Sequence, residues 1–489
     1  MARPKNSRDT KLLKEIRDRF DYCLKQWHDI RAEAAKDMRY VAGDPWDPKA
    51  KKAREDADRP ALVMDELNQY VNQLVNDVRQ NPHAIRVLPR GAGEKDQEAG
   101  LRAGLIRDIE YKSNAKAAYL TGFEGQVQRS YGFWRVTTKY VGDRTFDQEL
   151  CIKRIPNPDN VLIDPDTKEV DSSDMTYCFV LDNIKREAFK EKYPQAEVVS
   201  FSSEHMQLAP QWVKEHDIQV AEYWKVKTTA RTLLSVDLGD GNGAVAFFKD
   251  EIEEMEKSTG AQLKYTVARE REVEEREVVQ YVTNGVEILE ENAWLGEWIP
   301  IVPVWGREMY VDYGAGPKRV LFSLVRLARD PQMLYNYYRS NEQEEAGMTP
   351  KVPAVGVEGQ FQGHETDWQE ANKIPKAYLE YKAQTEATGM NPLPPPMRQP
   401  FQPNFAAYEL AADSARRMIQ SAMGISNLPT AAQRQGEKSG VALERIESQQ
   451  QRGSFHFIDN FLMSIEHTGR ILNDLLDKVY DTPRDVRLR

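Results

Sequence analysis

RPALVMDELNQYVNQLVNDVRQNPHAIRVLP, residues 59–89, joins a strict helical stripe to a polar face of unusual composition. Val71, Leu74, Val75 and Val78 recur at i, i+3, i+4 and i+7, which predicts a helix over about residues 67–79 with one apolar side. The other side carries Asn68, Gln69, Asn72, Gln73, Asn76, Arg79 and Gln80. A solvated face is usually written in Lys and Glu. Amides donate and accept together, which suits a packed surface between subunits that is matched without burying charge. The other reading is an ordinary amphipathic helix. Asn81-Pro82 stops the helix, because the residue before proline is pushed out of the α region, and residues 85–88 predict a strand leading away.

A chain of 489 residues is too long for one hydrophobic core, so about two to four domains, or one elongated multi-part subunit, are expected. Apolar residues at 40% and charged residues at 29% are ordinary for a globular protein and exclude wholesale disorder. The net charge of −10 argues against a basic face that grips nucleic acid nonspecifically, since such binding scales with the phosphates neutralised. DNA passing through without being held stays compatible with it. Cys23, Cys151 and Cys178 are scattered and odd in number, which speaks against a disulfide framework and for a reducing compartment. The opening MARPKNSRDTKLLKEIRDRF has no apolar core of a signal peptide, and no run approaches the ~18 apolar residues of a spanning helix. No secretion and no membrane embedding are expected.

Leu12, Leu13, Ile16, Phe20, Leu24 and Trp27 predict a long amphipathic helix that ends near Tyr40, before Gly43-Asp-Pro. The basic run at residues 49–54 reads as a solvated loop rather than a DNA patch. Leu101, Leu105, Ile106 and Ile109 make another helix, which Tyr119, Phe123 and Val127 extend or follow. Strand patterns then take over at residues 133–141, 149–155 and 161–163, the last framed by two proline turns. Residues 220–227 and 231–238 alternate as two more strands, and residues 239–243 form a glycine turn. That turn is not a calcium loop: with Asp240 and Asn242 as its third and fifth ligands, Leu238 and Lys249 would fill the first and twelfth. Residues 250–257 predict a short acidic helix, residues 268–277 a solvated run of alternating charge, and Tyr281, Val286, Ile288 and Leu289 renewed strand character.

From Val320 the pattern predicts a helix of about 25 residues that Pro331 either kinks or offsets at its start. Between Thr349 and Pro403 glycine and proline accumulate, with a polyproline stretch at residues 391–400. Val352, Val355, Phe361, Trp368, Ile374 and Tyr378 make that segment too apolar for a linker, so a small projecting module is expected. A second helix over residues 405–423 follows, with Leu410, Ala411, Ala415, Met418, Ile419 and Ala422 on one side. Residues 424–440 are rich in glycine and glutamine, and a long helical region occupies 441–480. Gly436-Glu-Lys-Ser is not a P-loop, since a phosphate cradle needs Gly directly before Lys, where Glu437 stands, and another Gly upstream, where Ala431 stands. Seven dispersed histidines form no metal-binding or zincin spacing, and neither a nucleophile elbow nor a dinucleotide fingerprint occurs. No catalytic, cofactor-binding or metal-binding residue is assigned.

Four motifs in order resemble phage portal proteins of the P22 type. Asn68, Asn72, Asp77, Arg79, Gln80, Asn81, Ile85 and Val87 match the family's first signature, with Pro82 one step early. Pro158, Val161, Asp164 and Pro165 match P-x-x-V-x-x-D-P, and Ser439, Gly440, Ala442 and Leu443 match S-G-x-A-L. The most specific is R-x-x-x-D-P-Q-x-x-x-N-x-x-x-S, carried by Arg326, Asp330, Pro331, Gln332, Asn336 and Ser340. The resemblance implies an α+β portal fold: a helical and β-rich wing at 1–318, a first stem helix at 319–349 and a small clip at 350–403. A second stem helix at 404–425, a tunnel loop at 426–440 and a long wing helix with the start of a strand at 441–489 complete it. Family members usually continue into a crown or barrel, which implies a short or truncated member.

By the same resemblance the chain forms a homo-oligomeric ring, expected to be a dodecamer, at one capsid vertex of a virion assembled in the host cytoplasm. Its partners are terminase, a tail adaptor, capsid and scaffolding proteins, and double-stranded DNA in the channel; no membrane and no cofactor are implied. Thr430, Gln433, Arg434, Gln435, Lys438 and Ser439 are expected at the DNA channel, and Asn68, Asn72, Asn76 and Arg79 at the subunit interface. Phe361, Trp368 and Tyr378 are expected to dock terminase and adaptor. Another ring-forming head–tail connector is the alternative, and a nucleotide-driven packaging enzyme, which would need a Walker motif, a lesser one.

Overall fold

A computed structural model describes residues 7–89, 96–201, 217–237, 245–259, 266–314, 316–348, 353–371, 374, 376–385, 391–398, 404–424 and 455–481. Its first elements are helices α1 (Ser7–Val41), α2 (Pro48–Asp56), α3 (Asn68–Gln80), α4 (Asp96–Lys112) and α5 (Ala115–Arg129). Strands β1 (Tyr131–Tyr140), β2 (Gln148–Arg154), β3 (Val161–Ile163) and β4 (Tyr177–Lys185) come next, then α6 (Arg186–Lys192), β5 (Asp217–Asp237), β6 (Val245–Phe248), α7 (Lys249–Thr259) and β7 (Thr266–Thr283). β8 (Ile288–Trp294), β9 (Ile301–Trp305), β10 (Arg307–Asp312) and β11 (Pro317–Phe322) precede α8 (Arg329–Met348). A short segment with β12 (Ala354–Val355), α9 (Glu365–Glu370) and β13 (Met397–Arg398) leads to α10 (Phe405–Met423) and α11 (Phe455–Val479). The fold class is α+β, as expected. The chain divides into two compact units: residues 1–35, 73–324 and 455–489 form one, and residues 36–72 and 325–454 the other.

The first unit holds the sheets. α1 buries Ile16, Phe20, Cys23, Trp27, Ile30 and Ala34 at helical spacing, and Leu24 packs half-buried against the same core. Phe20 meets Phe179 edge-on at 5.4 Å, and Trp27 stacks on Trp305 at 5.5 Å while its indole N–H donates to the Ile163 carbonyl at 2.9 Å. One sheet runs β2-β1-β9; the larger runs β3-β4-β5-β7-β8, with β6 also on β5. α11 binds β9 through directional bonds, Ser464 Oγ to the Pro303 carbonyl at 2.8 Å, and accepts the Trp134 indole N–H on Thr468 Oγ1 at 2.9 Å. α5 lies so close to β1 that a Cβ on Gly132 would overlap the Gly122 carbonyl oxygen.

Four sequence expectations change here. The two strands expected at 220–227 and 231–238 are one strand, β5, and the charged run at 268–277 is its antiparallel partner β7, with Lys225 facing Val279 and Arg231 facing Val273. Alternating charge satisfies a two-sided exposed ribbon as well as it does a loop. Residues 85–88 are not a strand; among the described residues they have no ladder, and Ile85 packs instead against Gly469 of α11. The helix expected from Val320 starts at Arg329, since residues 320–322 lie on β11, where Val320 faces Met309. Pro331 falls in its first turn, where a missing N–H costs nothing, so it offsets the start and does not kink the rod.

In the second unit α8 packs against α10. α10 spans the expected 405–423 but buries Ala412, Ala415, Ile419 and Met423, leaving Leu410 and Met418 exposed. Those two were expected on its buried side; small residues at 412 and 415 allow the close approach instead. Within 353–398 the described residues include β12 paired antiparallel with β13, and α9. Residues 36–72 cluster with these helices, and α8 bonds residues 62–66 of them directly.

Candidate functional site

The most specific sequence motif turns out to be a binding device for a stretch of this chain's own backbone. Gln332, Asn336 and Ser340 stand four residues apart on α8, and all three are buried. Their side chains take alternate N–H groups of residues 62–66: Leu62 N–H donates to Ser340 Oγ at 3.0 Å, Met64 N–H to Asn336 Oδ1 at 2.9 Å and Glu66 N–H to Gln332 Oε1 at 3.1 Å. Gln332 Nε2 returns a bond to the Met64 carbonyl at 2.6 Å and another to Asn336 Oδ1 at 3.1 Å. The periods explain the fit. Four helical residues rise about 6 Å, and two extended residues advance about 6.6 Å, so every fourth residue of a helix can address every second residue of an antiparallel strap. Pro60 fixes the register, because a two-residue slip would bring a residue without an N–H to Ser340.

The strap's carbonyls on the same edge are met by α2 and its approach. Trp46 Nε1 donates to the Leu62 carbonyl at 2.9 Å and Arg54 Nε to the Pro60 carbonyl at 2.8 Å. Arg54 sits near the Trp46 and Tyr337 rings, 5.6 and 5.5 Å from their centroids, and reaches Asn341 and Glu344. Asp47 caps α2, accepting from Lys49 and Ala50, so the basic run at 49–54 is helical rather than a loop. Arg59 pairs with Glu344 at 2.8 Å, and Arg416 of α10 pairs with Glu66 and bonds Tyr335 at 3.1 Å. The motif's Arg326, with Arg329, pairs with the fully buried Asp37 of α1 at 3.3 Å. Burial also pushes the Tyr40 phenol up.

Of the amide face, Asn68 is spent within the fold: its Nδ2 donates to the Val41 carbonyl at 2.9 Å and to Asp65 at 2.6 Å, while Asp65 caps α3 through Leu67 and Asn68 N–H. Asn72 and Asn76 are exposed, and Arg79 reaches Glu124 at 3.3 Å. In the module, Phe361 and Trp368 meet edge-on at 5.2 Å, and Trp368 Nε1 donates to the Glu380 carbonyl at 2.7 Å. Both rings are half-buried and pack on each other. Tyr378 is 77% exposed, with Ile374, Val355 and Met397 also exposed. Gln360, fully buried, organises the module: it accepts from Val357 N–H at 2.8 Å and donates to the Pro394 carbonyl at 2.9 Å, a hub no sequence pattern announced. Thr430, Gln433, Arg434, Gln435, Lys438 and Ser439 lie outside the described residues.

The described residues include no group of His, Cys, Asp and Glu placed to hold a metal ion, and no helix long and apolar enough to cross a membrane. The site's chemistry is recognition of backbone. Two comparisons bear on it. The family of phage P22-like portal proteins matches residues 17–489. A protein named "Portal protein" from Acyrthosiphon pisum secondary endosymbiont phage 1 is 25% identical over 441 residues, which are 88% of this chain and 60% of the relative. The chain thus spans about 60% of that relative's length.

Proposed function

The chain belongs to the phage P22-like portal protein family, and from that premise we propose that it forms a homo-oligomeric, dodecameric ring at one capsid vertex, the channel for DNA packaging and ejection. The observation that carries the reading is the family match across nearly the whole chain, reinforced by its most specific motif serving as a built clamp, Gln332, Asn336 and Ser340 on the strap. Nothing in this role requires a catalytic group: the ring works mechanically, in the virion, after assembly in the host cytoplasm among capsid and scaffolding proteins. Asn72, Asn76 and Arg79 contribute to the subunit contact, with Asn68 setting the helix that presents them.

The module at 353–398 docks terminase and then the tail adaptor through Tyr378 and the apolar residues exposed around it. Residues 430–439 touch DNA weakly, with Arg434 and Lys438 as nearby cations; few cations guide a translocating polymer without trapping it, since each phosphate contact deepens the trap. Electron microscopy of the purified chain should show rings with a central hole. A uniformly monomeric preparation under conditions that support packaging would reject the ring. Replacing Arg434 and Lys438 with Ala should leave rings intact and change packaging rate or DNA retention; unchanged packaging and retention would remove the channel role of that stretch.

A further inference from the structure

The strap at residues 60–66 is bonded along one edge only. In an extended chain the N–H and C=O of alternate residues point to opposite edges. The even-numbered residues are fully used, by Ser340, Asn336, Gln332, Trp46, Arg54 and, at the Glu66 carbonyl, Gln69. No described residue bonds the backbone N–H or C=O of Ala61, Val63 or Asp65. Val63 and Met64 are 40% and 39% exposed, so the open edge is reachable. Edges exposed to solvent are normally blunted by charge, proline or a bulge, but residues 61–64, Ala-Leu-Val-Met, have none of these; the nearest such residues are Pro60 and Asp65 at the two ends.

We propose that the odd-numbered edge of the strap, Ala61 to Asp65, is a main-chain docking edge that an extended segment of a neighbouring copy of this chain completes. The proposal rests on the ring reading above and says which atoms close the ring. A ring needs a heterologous contact, one surface meeting a different surface on the next copy, and an edge that paired with itself would stop at a dimer. Each copy carries a different surface of the right kind, the ribbon β10–β11, a sheet of only two strands. Nucleic acid is a poor occupant, since the charges of residues 60–66 are Asp65 and Glu66 alone.

Val63→Pro is the direct test. It deletes a donor that the strap's own unit does not use, at a position whose extended neighbour Leu62 tolerates a following proline. Full-length Val63→Pro should keep the far-ultraviolet spectrum and melting profile of the parent while the concentration needed for half-assembly, read by sedimentation velocity and electron microscopy, rises at least tenfold. Val63→Ala should assemble like the parent. Rings of Val63→Pro at the parent's concentration overturn the proposal. If Val63→Pro does not fold, hydrogen exchange on the unaltered chain decides. Amides 62, 64 and 66 should be slow in monomer and ring alike, and amides 61, 63 and 65 slow only in the ring. Fast exchange of the odd amides in rings, or slow exchange already in monomers, overturns the proposal while leaving the ring intact. A parent that stops at dimers overturns it too, and a parent that never assembles overturns the ring reading with it.

Discussion

The two units are stabilised by different chemistry. The first buries Trp134, Trp305, Tyr131, Tyr223, Tyr281 and Phe123 almost completely, a core of rings packed on sheets. The second buries fewer large side chains, Trp46, Tyr70 and Tyr335 among them, and gives a larger share of its interior to polar groups, Gln332, Asn336, Ser340, Gln360 and Asp37, although the first also buries Gln126, Ser464 and Thr468. Apolar burial is strong but non-directional, so it fixes stability more than register. Buried amides and hydroxyls contribute little net free energy each, but leaving one unmatched is costly, so they select one alignment of strap and helix. The first unit is built to persist and the second to present a defined edge.

The largest effect that would sharpen this contrast is Trp305→Ala. Trp305 stacks on Trp27, meets Phe133 edge-on at 5.7 Å, lies 4.7 Å from the Arg319 guanidinium and accepts Gln126 and Asn460 on its carbonyl. Removing its side chain should cost about 3–5 kcal/mol in urea unfolding, without changing amide exchange at residues 62–66. A loss below about 1 kcal/mol would break the claim that this unit rests on its aromatic core.

Acid should act on a buried imidazole of the first unit. Burial holds the His467 imidazole, on α11 at 1% exposure, down to about 4, against the opposing pull of Asp171 3.9 Å away. Its folded value lies below its unfolded one, so between about pH 6.5 and 4 the unfolded chain binds the extra proton and stability falls as pH falls. On the order of 3 kcal/mol should be lost across that window, and His467→Leu should flatten the slope. An unaltered slope in His467→Leu would assign the acid sensitivity elsewhere.

A smaller and more local change is expected from Asn336→Leu. The Met64 N–H loses its acceptor in a buried setting, which costs about 1–3 kcal/mol, and exchange should quicken at residues 62–66 while β1 amides stay protected. If exchange quickens equally in both places, the ladder is not specific to the strap.

Sequence made the helices legible wherever an apolar stripe faced a core: α1 and α3 lie where their periodicity puts them because burial and period agree, whereas α10 keeps its expected span but leaves Leu410 and Met418 outside. It missed the charged first half of β7, since alternating Arg and Glu on an exposed ribbon carries no apolar signal, while Tyr281 marked its buried end. The start of α8 was readable only in part, because β11 and the helix share one apolar run and Pro331 is the sole divider. At the site, the spacing of Gln332, Asn336 and Ser340 was visible but its use was not: a period of four on a helix does not reveal that a period of two on a distant strap answers it. Asn72 and Asn68 read alike in sequence, and only Asp65 and the Val41 carbonyl set them apart.

The smallest effect concerns a carboxyl in the ring-rich unit. Glu110 ends α4 beside an apolar cavity of about 210 Å³ lined by Val78, Leu120, Phe461 and Ile465, and accepts the Tyr119 hydroxyl at 2.9 Å. Burial raises its pKa, with the Tyr119 bond opposing. The folded state therefore favours the protonated acid, and stability falls as pH rises from the ordinary glutamate range through the raised value, then levels off. Glu110→Gln keeps an acceptor for Tyr119 and removes the buried charge. It should raise the melting temperature by about 1–2 °C at pH 7, with the gain closing as the pH falls below that of an ordinary glutamate. A gain that persists in acid would come from packing instead, and a loss at pH 7 would mean that even in this unit a directional bond outweighs the burial around it.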